Sequence, residues 1–265
     1  MMLQAFGMTR DPFDRDIDVP DLFESSGLRE LDARLHYLID IQAIGLFTGE
    51  IGSGKTTAVR RLLESLHPGL YKPLYVCPAT VSAIDFYRAI ALAFGIEPKY
   101  NRVRLYYQIR DEIERLSGVK KLRPVLVIDE AHLLRNDVLD GLRLLTNFRM
   151  DSANLLTIVL VGQTEFRRKL QFSAHEAFAQ RIAVRYHLDG IKKTEISDFL
   201  AHQLRRAGVH NPLFTEAAIE ALFQASRGAL RLINHLARQS LIAAAAARAP
   251  QADTEHVRLA VTESE

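Results

Sequence analysis

The sequence predicts an α/β fold built on a parallel sheet and followed by a smaller all-helical domain. Three observations carry this. Short, mainly apolar runs bounded by turn-forming residues recur five times before residue 190, the pattern expected of strands buried on both faces. Longer stretches of helical periodicity stand between them, so the strands are joined by crossovers and run parallel. Beyond residue 190 the strand pattern stops and only helical patterns follow.

The predicted strands are AIGLFT (43–48), PLYVC (73–77), PVLVID (124–129), LLTIVLV (155–161) and AVRYHL (183–188). The helices between them are expected at 54–66, 82–94, 102–117 and 136–148, the second with Ser82 as its N-cap. The helical part opens with KKTEISDFLAHQLRRAG, which ends at Gly208, and continues with TEAAIEALFQASRG, which ends at Gly228. ALRLINHLARQSLIAAAAARA then runs to Pro250, and DTEHVRLAVTESE forms a short last helix capped by Asp253. The alanine run 243–247 reads as a close-packed helical face. The expected domains are 1–190 (α/β) and 191–265 (helical), with no repeat and no long linker.

Composition bounds the function. A chain of 265 residues, 48% hydrophobic and 25% charged, is ordinary globular material. Its one cysteine, Cys77, excludes an internal disulfide and a cysteine-rich zinc site. With no signal-peptide core at the N-terminus and no apolar run near the roughly 20 residues of a membrane span, a cytoplasmic protein without a membrane partner is expected. A formal net charge of +2 does not diagnose a polyanion partner, so any nucleic-acid interface must come from local clusters.

The stretch GEIGSGKTT (49–57) lies between a predicted strand and a predicted helix, the context in which G-x-x-x-x-G-K-[ST] is a phosphate-binding P-loop. Gly49, Gly52 and Gly54 allow the backbone to curl through Glu50, Ile51 and Ser53, so that successive N–H groups face phosphate oxygens. Lys55 would reach the β- and γ-phosphates of ATP; the Thr56 hydroxyl would ligate Mg²⁺, with Thr57 beside it. The structural alternative is a glycine-rich turn with a surface lysine.

A second motif, VLVIDEAH, carries Asp129 to the carboxyl edge of a buried strand, where open α/β sheets bind ligands. Asp129 reads as the Walker B metal-holding carboxylate and Glu130 as the residue that activates water; alone, the pair could also cap the next helix. Gln163, at the end of TIVLVGQTE, reads as a sensor of the γ-phosphate or, alternatively, as a bystander in a helix cap. Arg181, just before the last strand, stands where an arginine can act in trans on a neighbouring subunit's phosphate, with Arg185 as the competing choice; Arg181 could also be a plain surface residue. Arg231, early in the third helix of the helical domain, stands where a sensor 2 arginine couples that domain to nucleotide.

These residues carry a resemblance that covers nearly the whole chain. With FGMTRDPF, LRLLTNFRMDSANLLTIVLVGQTEFRRKL, QRIAVRYHL and SRGALRLINHLARQSLIAA added to the two motifs, the sequence resembles AAA+ ATPases. The group in question includes transposition regulators of the TnsC, TniB and MuB kind and the ATPase module of the secretion protein ExeA. The resemblance implies a P-loop AAA+ domain with sheet order 5-1-4-3-2, a C-terminal helical lid, and a homo-oligomer as ring or helical filament. It also implies that Phe6 and Pro12–Phe13 line the base pocket, unless they simply staple onto the core. Arg149, Leu230 before Arg231, and LDGIKKTE depart from the group's pattern and bear on the lid rather than on nucleotide binding.

Within the group, a chain of this length favours a transposition regulator that assembles on duplex DNA, recruits a transposase and is released by hydrolysis. The alternatives are a secretion or pilus-assembly ATPase and a nucleotide-switched interaction protein. For the duplex, two basic clusters bracket one helix: Lys99, Arg102, Arg104 and Arg110 before or within it, and Lys120, Lys121 and Arg123 after it. Contacts of that kind bind phosphates without reading sequence; a solvated charged face is the other possibility.

Overall fold

The computed structural model describes residues 2–14, 17–77, 82–150 and 152–263. Asp151 of the MDS run and residues 264–265 of the last predicted helix lie outside them. The elements, in chain order, are α1 (Met2–Ala5), α2 (Ser26–Ile41), β1 (Ile44–Gly49), α3 (Lys55–Ser65), β2 (Tyr71–Val76), α4 (Ala83–Phe94) and α5 (Arg102–Gly118). There follow β3 (Arg123–Ile128), α6 (Asn136–Leu145), β4 (Thr157–Gly162), α7 (Thr164–Lys169), α8 (Glu176–Ala179) and β5 (Ile182–Leu188). Helices α9 (Ile196–Arg206), α10 (Glu216–Ser226), α11 (Leu230–Ala246) and α12 (Thr254–Thr262) complete the chain. All five expected strands form within one or two residues of their expected ends. They make one sheet in the order β2-β3-β4-β1-β5, parallel throughout. This is the 5-1-4-3-2 order that the resemblance implied.

Two compact units are present: residues 30–49 with 55–188, and residues 1–29 with 50–54 and 189–265. In the first, the sheet is covered on both faces. Leu46, Leu74, Val76, Leu126, Ile128, Ile158 and Leu160 share one core with α4, α5 and α6. Phe47, Val125, Val127, Val159 and Val161, which alternate with them, are buried too. Gly45 permits the approach of α2, since a Cβ there would stand 2.4 Å from the Leu38 Cδ2. Helix α2 is absent from the sequence expectations, although Leu28, Leu31, Leu35 and Leu38 fall at helical spacing and are buried.

The second unit gathers α9–α12 around Phe199, Leu222, Ile233, Leu236 and Leu241. The sequence expectation placed residues 1–29 with the α/β part; they group instead with these helices. Phe13 is buried in this core, edge-on to Phe214 at 6.4 Å between ring centroids. Arg238 of α11 pairs with Asp11 at 2.7 Å and donates to the Phe13 carbonyl at 2.6 Å, which ties the segment down. The core alternative therefore holds for Phe13, whose ring is spent on packing, and Phe6 packs against the same cluster.

Predicted caps form as their chemistry requires. The Ser82 hydroxyl accepts from the Asp85 N–H, and the Asp253 carboxylate accepts from the N–H groups of Glu255 and His256. Among the described residues, no helix is long and apolar enough to cross a membrane.

Candidate functional site

β1 is wholly buried and delivers Gly49 to the carboxyl edge of the sheet, from which the chain turns through residues 50–54 into α3. Gly52 and Gly54 have φ values of +80° and +102°, in the left-handed region that disfavours any Cβ. At Gly52 a Cβ would also stand 2.6 Å from the Cβ of Arg231, so the loop and the predicted sensor arginine approach closely within the second unit. Side-chain space and backbone conformation both demand glycine there. Ile51 at the turn is exposed, and the Ser53 N–H donates to the Glu50 carbonyl at 3.2 Å.

Within the α/β unit, the predicted residues converge. The Lys55 ammonium donates to the Gly49 carbonyl at 2.8 Å, and the Thr56 hydroxyl donates to Asp129 Oδ2 at 2.9 Å. Asp129 is 4% exposed. Its Oδ1 accepts from the Glu130 N–H at 2.9 Å, and Oδ2 accepts a further bond from the Tyr75 hydroxyl at 3.1 Å. Burial, with the Asp129 charge beside it, pushes the Tyr75 phenol well above its ordinary range, so that it acts as a donor. Burial first, then Asp129 and Glu130, also raises the Cys77 thiol.

Glu130 stops the strand sharply. Its φ of 52° and ψ of 36° are left-handed, a conformation that costs a non-glycine residue about 1–2 kcal/mol. The turn leaves its carboxylate half exposed, with Oε2 3.4 Å from His132 Nδ1. The β1–β4 register pairs Thr48 with Gly162, so Gln163 follows at the same sheet edge as Gly49. Gly162 is close to the turn that follows β3, a Cβ there standing 3.2 Å from the His132 backbone nitrogen.

Arg181 lies at the other edge. The next residue, Ile182, pairs with Ile44 at the amino end of β1, and β1 spans roughly 17 Å at 3.3 Å per residue before reaching Gly49. The Arg181 guanidinium is 3.4 Å from the Thr146 hydroxyl, the C-cap of α6. That placement puts it at the opposite end of the sheet from Gly49. Arg185 is mid-strand on β5, exposed, and donates to the Ala179 carbonyl.

Lys99, Arg102, Arg104, Lys120, Lys121 and Arg123 are all exposed, but they do not form one patch. They lie at the two ends of the 17-residue helix α5, about 25 Å long, with Arg102 and Arg104 in its first turn, and the exposed turns between carry Asp111, Glu114 and Arg115. Arg123 is also the first residue of β3, the end of the strand away from Asp129. Arg110 is occupied: its guanidinium stacks 4.8 Å from the Phe148 ring centroid and donates to the Tyr106 hydroxyl at 3.3 Å.

Sequence reasoning missed Tyr75 and His132 as neighbours of the acidic pair. For Tyr75 no signal lay in β2 alone, since a half-exposed tyrosine can leave its hydroxyl to water; the contact comes from the pairing of β2 with β3.

An oxygen-only set of one buried carboxylate and one hydroxyl suits Mg²⁺, which keeps waters and takes substrate phosphates for its remaining positions. Among the described residues there is no group of three or more His, Cys, Asp or Glu that could hold a metal ion. Residues 39–170 match the family model of an AAA domain. The chain carries an AAA domain on a P-loop AAA+ ATPase fold. It is 36% identical over 92% of its length to general secretion pathway protein A of Aeromonas hydrophila, of which it spans 45%. Among solved structures, it is similar to Cdc6p from Pyrobaculum aerophilum, with a TM-score of 0.73 and 18% identity, covering 97% of this chain and 71% of that one. It is also similar to the Aeropyrum pernix ORC1 protein in complex with DNA, with a TM-score of 0.65 and 21% identity, covering 96% and 69%. At such identities these two likenesses concern the fold.

Proposed function

We propose that this AAA+ chain binds ATP with Mg²⁺ at residues 49–57, hydrolyses it between copies of itself, and serves as the ATPase module of a secretion system. The observation that carries the last part is the 36% identity to general secretion pathway protein A over 92% of the chain. It outweighs the expectation drawn from chain length, which favoured a transposition regulator.

In this reading the loop N–H groups and the amino end of α3 cradle the phosphates. Lys55 exchanges the Gly49 carbonyl for phosphate oxygens. Thr56 and Asp129 hold Mg²⁺, which when bound neutralises charge developing on the γ-phosphate. Glu130 takes the proton of the attacking water, and Gln163 hydrogen-bonds the γ-phosphate. Because Arg181 sits at the amino edge of its own sheet, the phosphate it stabilises belongs to another copy. Turnover per chain should therefore rise with protein concentration. Arg181→Ala should lower kcat by about 10³-fold or more with ATP affinity nearly intact. Mixing Arg181→Ala with Glu130→Gln should restore part of the activity, since one interface then pairs an intact arginine with an intact glutamate; no recovery in mixed oligomers would count against a trans arginine.

The DNA-binding transposition reading, with its transposase partner, keeps one supporting observation, the exposed basic residues flanking α5. The two readings separate in one experiment. The secretion module should bind duplex DNA equally weakly with ATP and ADP, with turnover unchanged by DNA. A DNA-assembling regulator would bind far more tightly with ATP. Its log K against log salt slope would flatten by roughly 0.9 for each phosphate-contacting lysine or arginine removed from 99–123.

A further inference from the structure

We infer that Tyr75 is a positioning residue that couples Mg²⁺ to nucleotide binding by pinning the Asp129 carboxylate from the neighbouring strand β2. The inference rests on the reading of Thr56 and Asp129 as the metal-holding pair and adds to it a residue outside both motifs.

The sheet register is what brings Tyr75 there. Tyr75 pairs with Val127 and Val76 with Ile128, and the Asp129 N–H donates to the Val76 carbonyl at 3.1 Å. With a side-chain period of two, Tyr75, Val127 and Asp129 point to the same face, and Tyr75 is the diagonal neighbour of Asp129 across the strand pair. A tyrosine is long enough to bridge that diagonal. Although 48% of the residue is exposed, its hydroxyl turns inward to Oδ2.

The hydrogen-bond arrangement gives the contact its consequence. Asp129 Oδ2 receives two hydroxyls, Thr56 at 2.9 Å and Tyr75 at 3.1 Å, while Oδ1 receives the Glu130 N–H at 2.9 Å. The Thr56 hydroxyl spends its only hydrogen on Oδ2, which leaves its lone pairs for a cation. The direction of those lone pairs therefore depends on where Oδ2 is held. Glu130 N–H fixes one carboxylate oxygen and Tyr75 fixes the other, so the plane of the carboxylate is set before any cation arrives. Outer-shell partners of this type typically contribute 10- to 100-fold in metal affinity. A phenylalanine would keep the ring and remove only the donor.

The test compares wild type, Tyr75→Phe, Thr56→Ala and the double variant. ATP affinity is measured in EDTA and across a Mg²⁺ series, with far-UV circular dichroism to confirm the fold. Wild type should bind ATP more tightly as Mg²⁺ is added. Tyr75→Phe should match wild type in EDTA within about twofold but need 10- to 100-fold more Mg²⁺ for the half-maximal effect. In the Thr56→Ala background the same change should add little, because the tyrosine acts through that hydroxyl. An unchanged Mg²⁺ midpoint in Tyr75→Phe, or equal weakening with and without Mg²⁺, would overturn the role of Tyr75. A wild-type protein whose ATP affinity ignores Mg²⁺ would overturn the metal reading of Asp129 itself.

Discussion

Lys55→Ala is expected to weaken ATP binding by roughly 10²- to 10⁴-fold, since it removes charge-assisted hydrogen bonds to two phosphates worth about 1.5–3 kcal/mol each. In the structure the same ammonium donates to the Gly49 carbonyl, a contact at the mouth of the loop and not in the core. Thermal stability without nucleotide should therefore change little, by about 1 kcal/mol or less. Anisotropy of a fluorescent ATP analogue and a thermal melt measure the two quantities side by side. A stable Lys55→Ala protein that binds ATP like the wild type would remove the phosphate role of the loop.

Glu130→Gln should separate binding from chemistry. The residue lies at a left-handed turn that already strains its backbone, and its half-exposed side chain packs into no core. Glutamine preserves length and backbone conformation but cannot take a proton from water. The loss in kcat should be about 10²- to 10⁴-fold, the usual worth of a positioned general base, while the ATP dissociation constant stays within a few-fold of wild type. Single-turnover hydrolysis with excess enzyme reads the chemical step directly. Wild-type turnover in this variant would move the base elsewhere, and His132, 3.4 Å from the Glu130 carboxylate, would be the first place to look.

Most of the fold was legible because its signals are local. The three central strands β1, β3 and β4 are apolar runs that end at a breaker, and the loop from Gly49 to Thr56 encodes its own curvature in its glycines. The Asp129–Glu130 pair was legible for the same reason, as it ends such a run. Helix α2 is equally legible from the spacing of Leu28, Leu31, Leu35 and Leu38. What was not legible depends on contacts between segments far apart in sequence. The place of Phe13 and Asp11 is decided by Phe214 and Arg238, more than 200 residues on. Arg110 reads as a phosphate-binding arginine in its own helix, and only the tertiary approach of Phe148 shows it to be stacked. Tyr75 meets Asp129 only because β2 and β3 are neighbours in a particular register, which no property of either strand alone specifies.

The most direct measurement is a crystal structure of Glu130→Gln with ATP and Mn²⁺, the metal located by its anomalous scattering. The predicted result is one metal with the Thr56 hydroxyl within about 2.1–2.3 Å, Asp129 reached directly or through one water, and the Lys55 ammonium on the β- and γ-phosphates. Metal bound away from Thr56 and Asp129, or triphosphate bound away from residues 49–57, would contradict the assignment of this site as the place where ATP is held and cleaved.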